Sequence, residues 1–183
     1  MNEKSVGIIE LSSVAAGFAV ADAMLKAANV RIVLSRSICS GKYMVVICGA
    51  VDSVESAVAA GSVAAAGFLI AQFVFPNLHP DVVAAIGRSQ VPEPGGALGI
   101  LESFSVSSLL EGTDAAVKAG NVQLLEIRLA MALGGKAFCT MTGDVAAVQA
   151  AVDAGGQAIA HSGMLVNAVV IPRPHPEAWR EVV

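Results

Sequence analysis

An internal duplication constrains this chain more than any other feature. Residues 5–30 align without a gap on residues 97–122. Gly7, Ile8, Glu10, Ser13, Val14, Asp22, Ala23, Lys26, Ala27, Asn29 and Val30 all recur, eleven identities in twenty-six. After a two-residue slip, Gly41-Lys42 falls on Gly135-Lys136, Gly49 on Gly143, Ala57-Val58 on Ala151-Val152 and Gly61 on Gly155. A further slip places Pro76, His79 and Pro80 on Pro172, His175 and Pro176. Ordered matches of this kind mean two homologous domains of about ninety residues, so the fold must be one that each half completes. The domains are expected at 1–91 and 97–183. They are joined by Pro92-Glu93-Pro94-Gly95-Gly96, a linker (92–96) stiff at its prolines and loose at its glycines.

Each copy has the same punctuation. Val6 to Glu10 reads as a short buried strand, and Ser12 or Ser13 as the cap of a helix running to about Ala28. Val30 to Ser35 is rich in β-branched residues and predicts a strand. A small-residue turn follows, then a second apolar strand from Tyr43 to Cys48. Asp52 is expected to cap an alanine-rich helix to about Ala66, Leu69 to Phe75 forms a fourth strand, and Pro80 opens a short terminal helix. The order β-α-β-β-α-β is the ferredoxin-like plan, an α+β fold with helices on one face of an antiparallel sheet.

Composition narrows the partners. With 14% charged residues and net charge −4, no basic stripe is available for nucleic acid or an anionic membrane surface. A hydrophobic content of 55% and mean hydropathy of +0.70 exceed what a monomer's surface needs, so apolar surface is expected to be shared between copies in a homo-oligomer. Ser56 to Pro80 carries no Asp, Glu, Lys or Arg, but Gly61, Gly67 and Gln72 interrupt it and its second half reads as a strand, which argues against a membrane span. The N-terminal stretch lacks the apolar core of a signal peptide, and the expected location is the cytoplasm.

Three cysteines, none in a CxxC pair, fit a reducing compartment without disulfides. Cys48 and Cys139 sit in apolar strand runs and read as packing residues. Cys39 differs, because Ser37, Ser40 and Gly41 around it offer little apolar cover. On the residues alone it is open to three roles: a simple turn thiol, a nucleophile, or a metal ligand. A nucleophile would need a base beside it, and none is evident nearby. The matching turn, Leu133-Gly134-Gly135-Lys136, has no cysteine, and its glycines permit close backbone approach. His79 and His175 each precede a proline and read as caps for the terminal helices rather than metal ligands. Trp179 is expected to pack against its own domain.

Val6-Gly7-Ile8-Ile9-Glu10, the helix end Asp22 to Val30, and the closing Val170-Ile171-Pro172-Arg173-Pro174-His175 resemble the bacterial microcompartment shell proteins. All three stretches recur, in full or weaker form, in both halves. Two fused copies in unpermuted order are similar to the tandem-domain subclass, most of all its iron–sulfur type from propanediol-utilisation shells. The resemblance implies a homotrimer that imitates a hexagonal tile, a pseudohexamer, packed edge to edge with other shell proteins in a microcompartment wall, and no catalytic residues. It further implies an iron–sulfur cluster, of the 4Fe–4S type and one per trimer, held by Cys39 at the threefold axis. The central loops would be Ser37, Ile38, Cys39, Ser40 and Gly41 together with Leu133, Gly134 and Gly135. Lys26, Asn29, Lys118, Asn121 and Arg173 are the implied tile-edge contacts, although the first domain has Asn77 where the second has Arg173. Electron transfer or cluster exchange across the shell, with redox enzymes as partners, is the implied use. A metabolite pore without a cluster and a soluble cysteine-dependent enzyme are the alternatives.

Overall fold

The computed structural model describes residues 4–87, 96–130 and 133–180. The chain divides into two compact units, Met1–Val83 and Ala84–Val183. The expected linker lies outside the described residues except for Gly96.

The first unit runs β1 (Ser5–Leu11), α1 (Val14–Ala27), β2 (Val30–Ile38), β3 (Lys42–Gly49), α2 (Val51–Ala64) and β4 (Leu69–Phe75), then enters α3 (Pro80–Ala85). Its sheet has the order β2-β3-β1-β4 with every neighbouring pair antiparallel. The second unit repeats the plan with β5 (Ala97–Ser103), α4 (Val106–Ala119), β6 (Gln123–Leu129), β7 (Ala137–Gly143), α5 (Val145–His161), β8 (Leu165–Ile171) and α6 (Pro176–Arg180). The order there is β6-β7-β5-β8. This is the βαββαβ fold twice over.

The repeated residues are those the fold cannot vary. Ser13 and Ser105 accept the amides of Ala16 and Ser108 at the starts of α1 and α4, so one serine in each copy closes an open helix end. Gly7 and Gly99 lie where the second helix of each unit presses on the central strand. A Cβ at Gly7 would fall 2.6 Å from Val58 Cγ2, and one at Gly99 2.8 Å from both Val148 Cγ1 and Val152 Cγ2. In the first unit Ile9, Leu11, Tyr43, Val45 and Ile47 of the sheet meet Val20, Met24, Val54 and Val58 of the helices in one core. On the face of β5 away from Gly99, Leu98 and Ile100 pack with Leu125 and Trp179, so α6 covers the sheet from the side opposite α5.

Two expectations are corrected. Asp52 does not cap α2: the cap position is Ala50, and Asp52 sits in the first turn, accepting the Ser53 amide at 2.9 Å. Its carboxylate still favours that end through the helix dipole. The strand expected to end at Ser35 continues to Ile38, because Arg36, Ser37 and Ile38 pair with Met44, Tyr43 and Lys42.

Candidate functional site

That extra strand length leaves a very small turn at the tip of the β2–β3 hairpin. Ser40 (φ 62°, ψ 30°) and Gly41 (φ 73°) both occupy the left-handed region, and the Lys42 amide donates to the Cys39 carbonyl. Two consecutive positive φ values are those of a type I′ turn, whose twist matches that of paired strands. Cys39 is therefore fixed at the corner where the chain reverses, half-buried and not in a disulfide. A Cβ added at Gly41 would meet nothing within 4 Å, so the turn stands clear of its own unit at that point.

Beneath it, Lys42 Nζ lies 2.9 Å from Glu10 Oε1, tying the base of the hairpin to β1 across the sheet. Lys136 and Glu102 make the same ion pair in the second unit. These carboxylates were not singled out from the sequence. The signal was present, since both partners recur in the duplication, but only the sheet brings residues 32 positions apart together.

The second unit builds the same turn without the thiol. Gly134 (φ 63°) and Gly135 (φ 91°) take the left-handed positions, and the Lys136 amide donates to the Leu133 carbonyl at 3.2 Å. Leu133 thus stands where Cys39 stands in the first unit. The two-residue slip between the repeats falls just before it, and Met131-Ala132 lies outside the described residues. Among the described residues, no group of three or more His, Cys, Asp or Glu side chains is placed to hold a metal ion within one chain. One chain therefore offers Cys39 as a single thiol ligand, and a cluster would need thiols from further copies.

The other cysteines are enclosed. Cys48 is buried on β3 and Cys139 on β7, with Thr113 Oγ1 3.2 Å from the Cys139 sulfur. Burial pushes the Cys139 thiol from an ordinary 9.0 up to about 11, against smaller opposing contributions from the Thr113 hydroxyl and the Leu101 backbone. Such a thiol is a poor nucleophile.

Lys26 and Lys118 occupy equivalent exposed places in the last turns of α1 and α4 and pair with Asp22 and Asp114 one turn earlier. Asn29 and Asn121 are exposed at the entries to β2 and β6. Arg173 is exposed beside Pro172, Pro174, Pro176, Trp179 and Arg180, around a concavity of about 480 Å³ in the second unit. His79 and His175 Nδ1 accept the amides of Asp81 and Glu177, each at 3.3 Å, at the openings of α3 and α6.

The two units differ most in what they leave open. On α1, Val14, Phe18 and Leu25 form an apolar stripe that is exposed, with Phe18 at 65%. Their repeat counterparts on α4 are covered: Val106 is buried, Leu110 is 0% exposed and Val117 is half-buried.

A family model for the BMC domain matches residues 5–78 and again 97–174. The bacterial microcompartment shell protein PduT of Citrobacter freundii is 39% identical over 180 residues, covering 98% of each chain. The shell protein EutM of Salmonella typhimurium is 44% identical over 79 residues, 43% of this chain and 80% of EutM, so one half of this chain matches most of that protein. The crystal structure of a microcompartment protein from Desulfitobacterium hafniense superposes with a TM-score of 0.92 at 47% identity, covering 97% of this chain and 99% of that one.

Proposed function

Since the chain belongs to the BMC-domain family of bacterial microcompartment shell proteins, and to its tandem-domain type, we propose that three copies close into a pseudohexameric tile of the shell wall with the three Cys39 turns at its centre. The protein is a structural shell component. Its tile would meet other shell proteins edge to edge through Lys26, Asn29, Lys118, Asn121 and Arg173.

The observation that carries the assembly is the unequal burial of equivalent residues. Phe18 is 65% exposed while Leu110, ninety-two positions later, is fully buried. A ring in which first and second units alternate would cover the stripe of α1 with a unit of another copy. Closed rotational symmetry then brings one Cys39 from each chain to a common axis.

The thiol fits one position of an iron–sulfur site. It is half-buried rather than sealed, it stands on a rigid turn, and it belongs to the unit whose twin carries Leu133. Three such thiols leave one iron of a 4Fe–4S cluster without a cysteine ligand. When bound, the cluster would supply one-electron transfer or cluster exchange across the wall. Redox enzymes on either side are the partners this would serve. The role of this chain's own residues is to hold the thiols: Ser40 and Gly41 set the reversal, and the Glu10–Lys42 pair fixes its base.

Light scattering tests the tile. The purified protein should have the mass of three 18.5 kDa chains, and concentrated samples should form flat sheets. Lys26→Glu should abolish the sheets and leave the trimer. A stable monomer, or loss of the trimer in Lys26→Glu, would overturn the arrangement.

A further inference from the structure

Each hairpin carries an arginine at the same place, and the two units treat it differently. In β6, Glu126 and Arg128 face Thr140 and Phe138 of β7. Glu126 is buried, and its Oε1 accepts the Arg128 Nε at 2.9 Å and lies 2.7 Å from the Arg128 Nη2. The guanidinium carbon also lies 5.2 Å from the centre of the Phe138 ring. The Arg128 charge is thus neutralised inside its own unit.

Both hairpins shift register at the same point, between Ile32 and Leu34 and between Leu124 and Glu126, so Leu34 and Arg36 are the counterparts of Glu126 and Arg128. The arginine is kept and its carboxylate is gone. Arg36 is half-buried, its Nε is buried without a hydrogen-bond partner, and among the described residues no carboxylate pairs with it. A buried donor without an acceptor destabilises the folded chain. A cation kept in spite of that points to an anionic partner beyond the chain itself.

The thiol belongs to the same hairpin. Ile9, Leu11, Tyr43, Val45 and Ile47 face the helices, so Glu10, Lys42 and Met44, with Arg36 opposite Met44, lie on the other face of the sheet. Glu10 and Lys42 neutralise each other, which leaves Arg36 as a cation in excess near the turn. In the second unit Glu102 balances Lys136 and Glu126 balances Arg128, so no cation is in excess there. The hairpin with Cys39 has the unbalanced arginine, and the hairpin with Leu133 has the balanced one.

We propose that Arg36 is the counter-charge of the iron–sulfur site. Three thiolates around a 4Fe–4S core carry a net negative charge that one-electron reduction increases, and one Arg36 from each copy favours the reduced form. Arg36 acts through space and ligates nothing. Three residues of strand, about 10 Å, separate it from Cys39. Even at the dielectric constant of water, three unit charges about 10 Å away change a one-electron reduction equilibrium about tenfold. The inference rests on the cluster reading.

The test uses the full-length trimer reconstituted anaerobically with iron and sulfide and titrated with dithionite in the presence of redox mediators, with reduction followed by visible absorption and electron paramagnetic resonance. Arg36→Gln should remain trimeric, keep its iron, and become about tenfold harder to reduce, a potential about 59 mV more negative. Arg36→Lys should keep the parent potential. Leu34→Glu, which restores beside Arg36 the carboxylate that Arg128 has, should shift the potential as Arg36→Gln does. An unchanged potential in both Arg36→Gln and Leu34→Glu overturns the counter-charge and leaves the cluster standing. Loss of the trimer in Arg36→Gln also overturns it, because the guanidinium would then be paired across a subunit interface. A parent trimer that takes up no iron overturns the cluster reading and the counter-charge together.

Discussion

Truncating Phe18 to alanine separates the energetics of the chain from those of the assembly. Within one chain the ring rests near Tyr43, with centroids 5.2 Å apart, and is 65% exposed. Its removal should cost the folded monomer no more than about 1 kcal/mol, the value of an exposed aromatic pair. In the proposed ring the open part would be covered. A phenylalanine carries on the order of 200 Å² of buriable surface, so covering the exposed share removes about 130 Å² from water and contributes about 3 kcal/mol per interface. That is roughly two orders of magnitude in the association constant of each contact. Leu110→Ala should show the reverse pattern, because Leu110 is buried inside the single chain and leucine-to-alanine changes in cores cost about 3–5 kcal/mol of folding stability. The assay is light scattering over a dilution series, paired with denaturant unfolding below the dissociation concentration. If Phe18→Ala dissociates at the same concentration as the parent protein, the stripe on α1 is not an interface and the ring built on it fails.

Thiol accessibility should follow the turn: a maleimide should label the unassembled native chain once, at Cys39, and reach Cys48 and Cys139 only after denaturation. Labelling of either buried cysteine in the native chain would contradict the packing described. The raised Cys139 thiol predicts an alkaline loss of stability. The unfolded chain releases this proton near pH 9 and the folded chain only near 11. This contribution is therefore complete well below pH 9 and falls by roughly 2 kcal/mol by pH 11, on the way to about 3 above it. Under reducing conditions, Cys139→Ala should flatten that fall in the denaturant midpoint, and an unchanged slope would refute the assignment. Gly41→Ala, at φ 73° with open space around its Cβ, should cost about 1 kcal/mol through backbone conformation alone. Gly41→Asn should cost less, and equal costs would argue against the left-handed turn.

Much of the fold was legible because the duplication states it twice. A strand pattern or helix cap that recurs ninety-two residues later is not a chance reading, and Ser13 with Ser105 shows why. What escaped was non-local. Arg36 and Ser37 read as loop residues because they are polar, yet an edge strand tolerates polar side chains, and they pair with Met44 and Tyr43. The Glu10–Lys42 pair needed the β1–β3 register to bring its partners together. Asp52 looked like a cap by residue type, but the helix begins one residue before it. Excess apolar composition signalled shared surface without locating it. The location we propose for it rests on comparing Phe18 with Leu110, which differ in exposure and not in hydrophobicity. At Cys39 the sequence could mark a thiol without apolar cover, but a site divided among three copies has no local signature in any one of them.

The central claim is that Cys39 is one third of a site, and iron stoichiometry tests it most directly. After anaerobic reconstitution, iron and sulfide should each be found at about 1.3 per chain, four shared by three, with visible absorption. Cys39→Ser should remain trimeric and lose both. A wild-type trimer that stays colourless and iron-free, or a Cys39→Ser trimer that retains the iron, would contradict it.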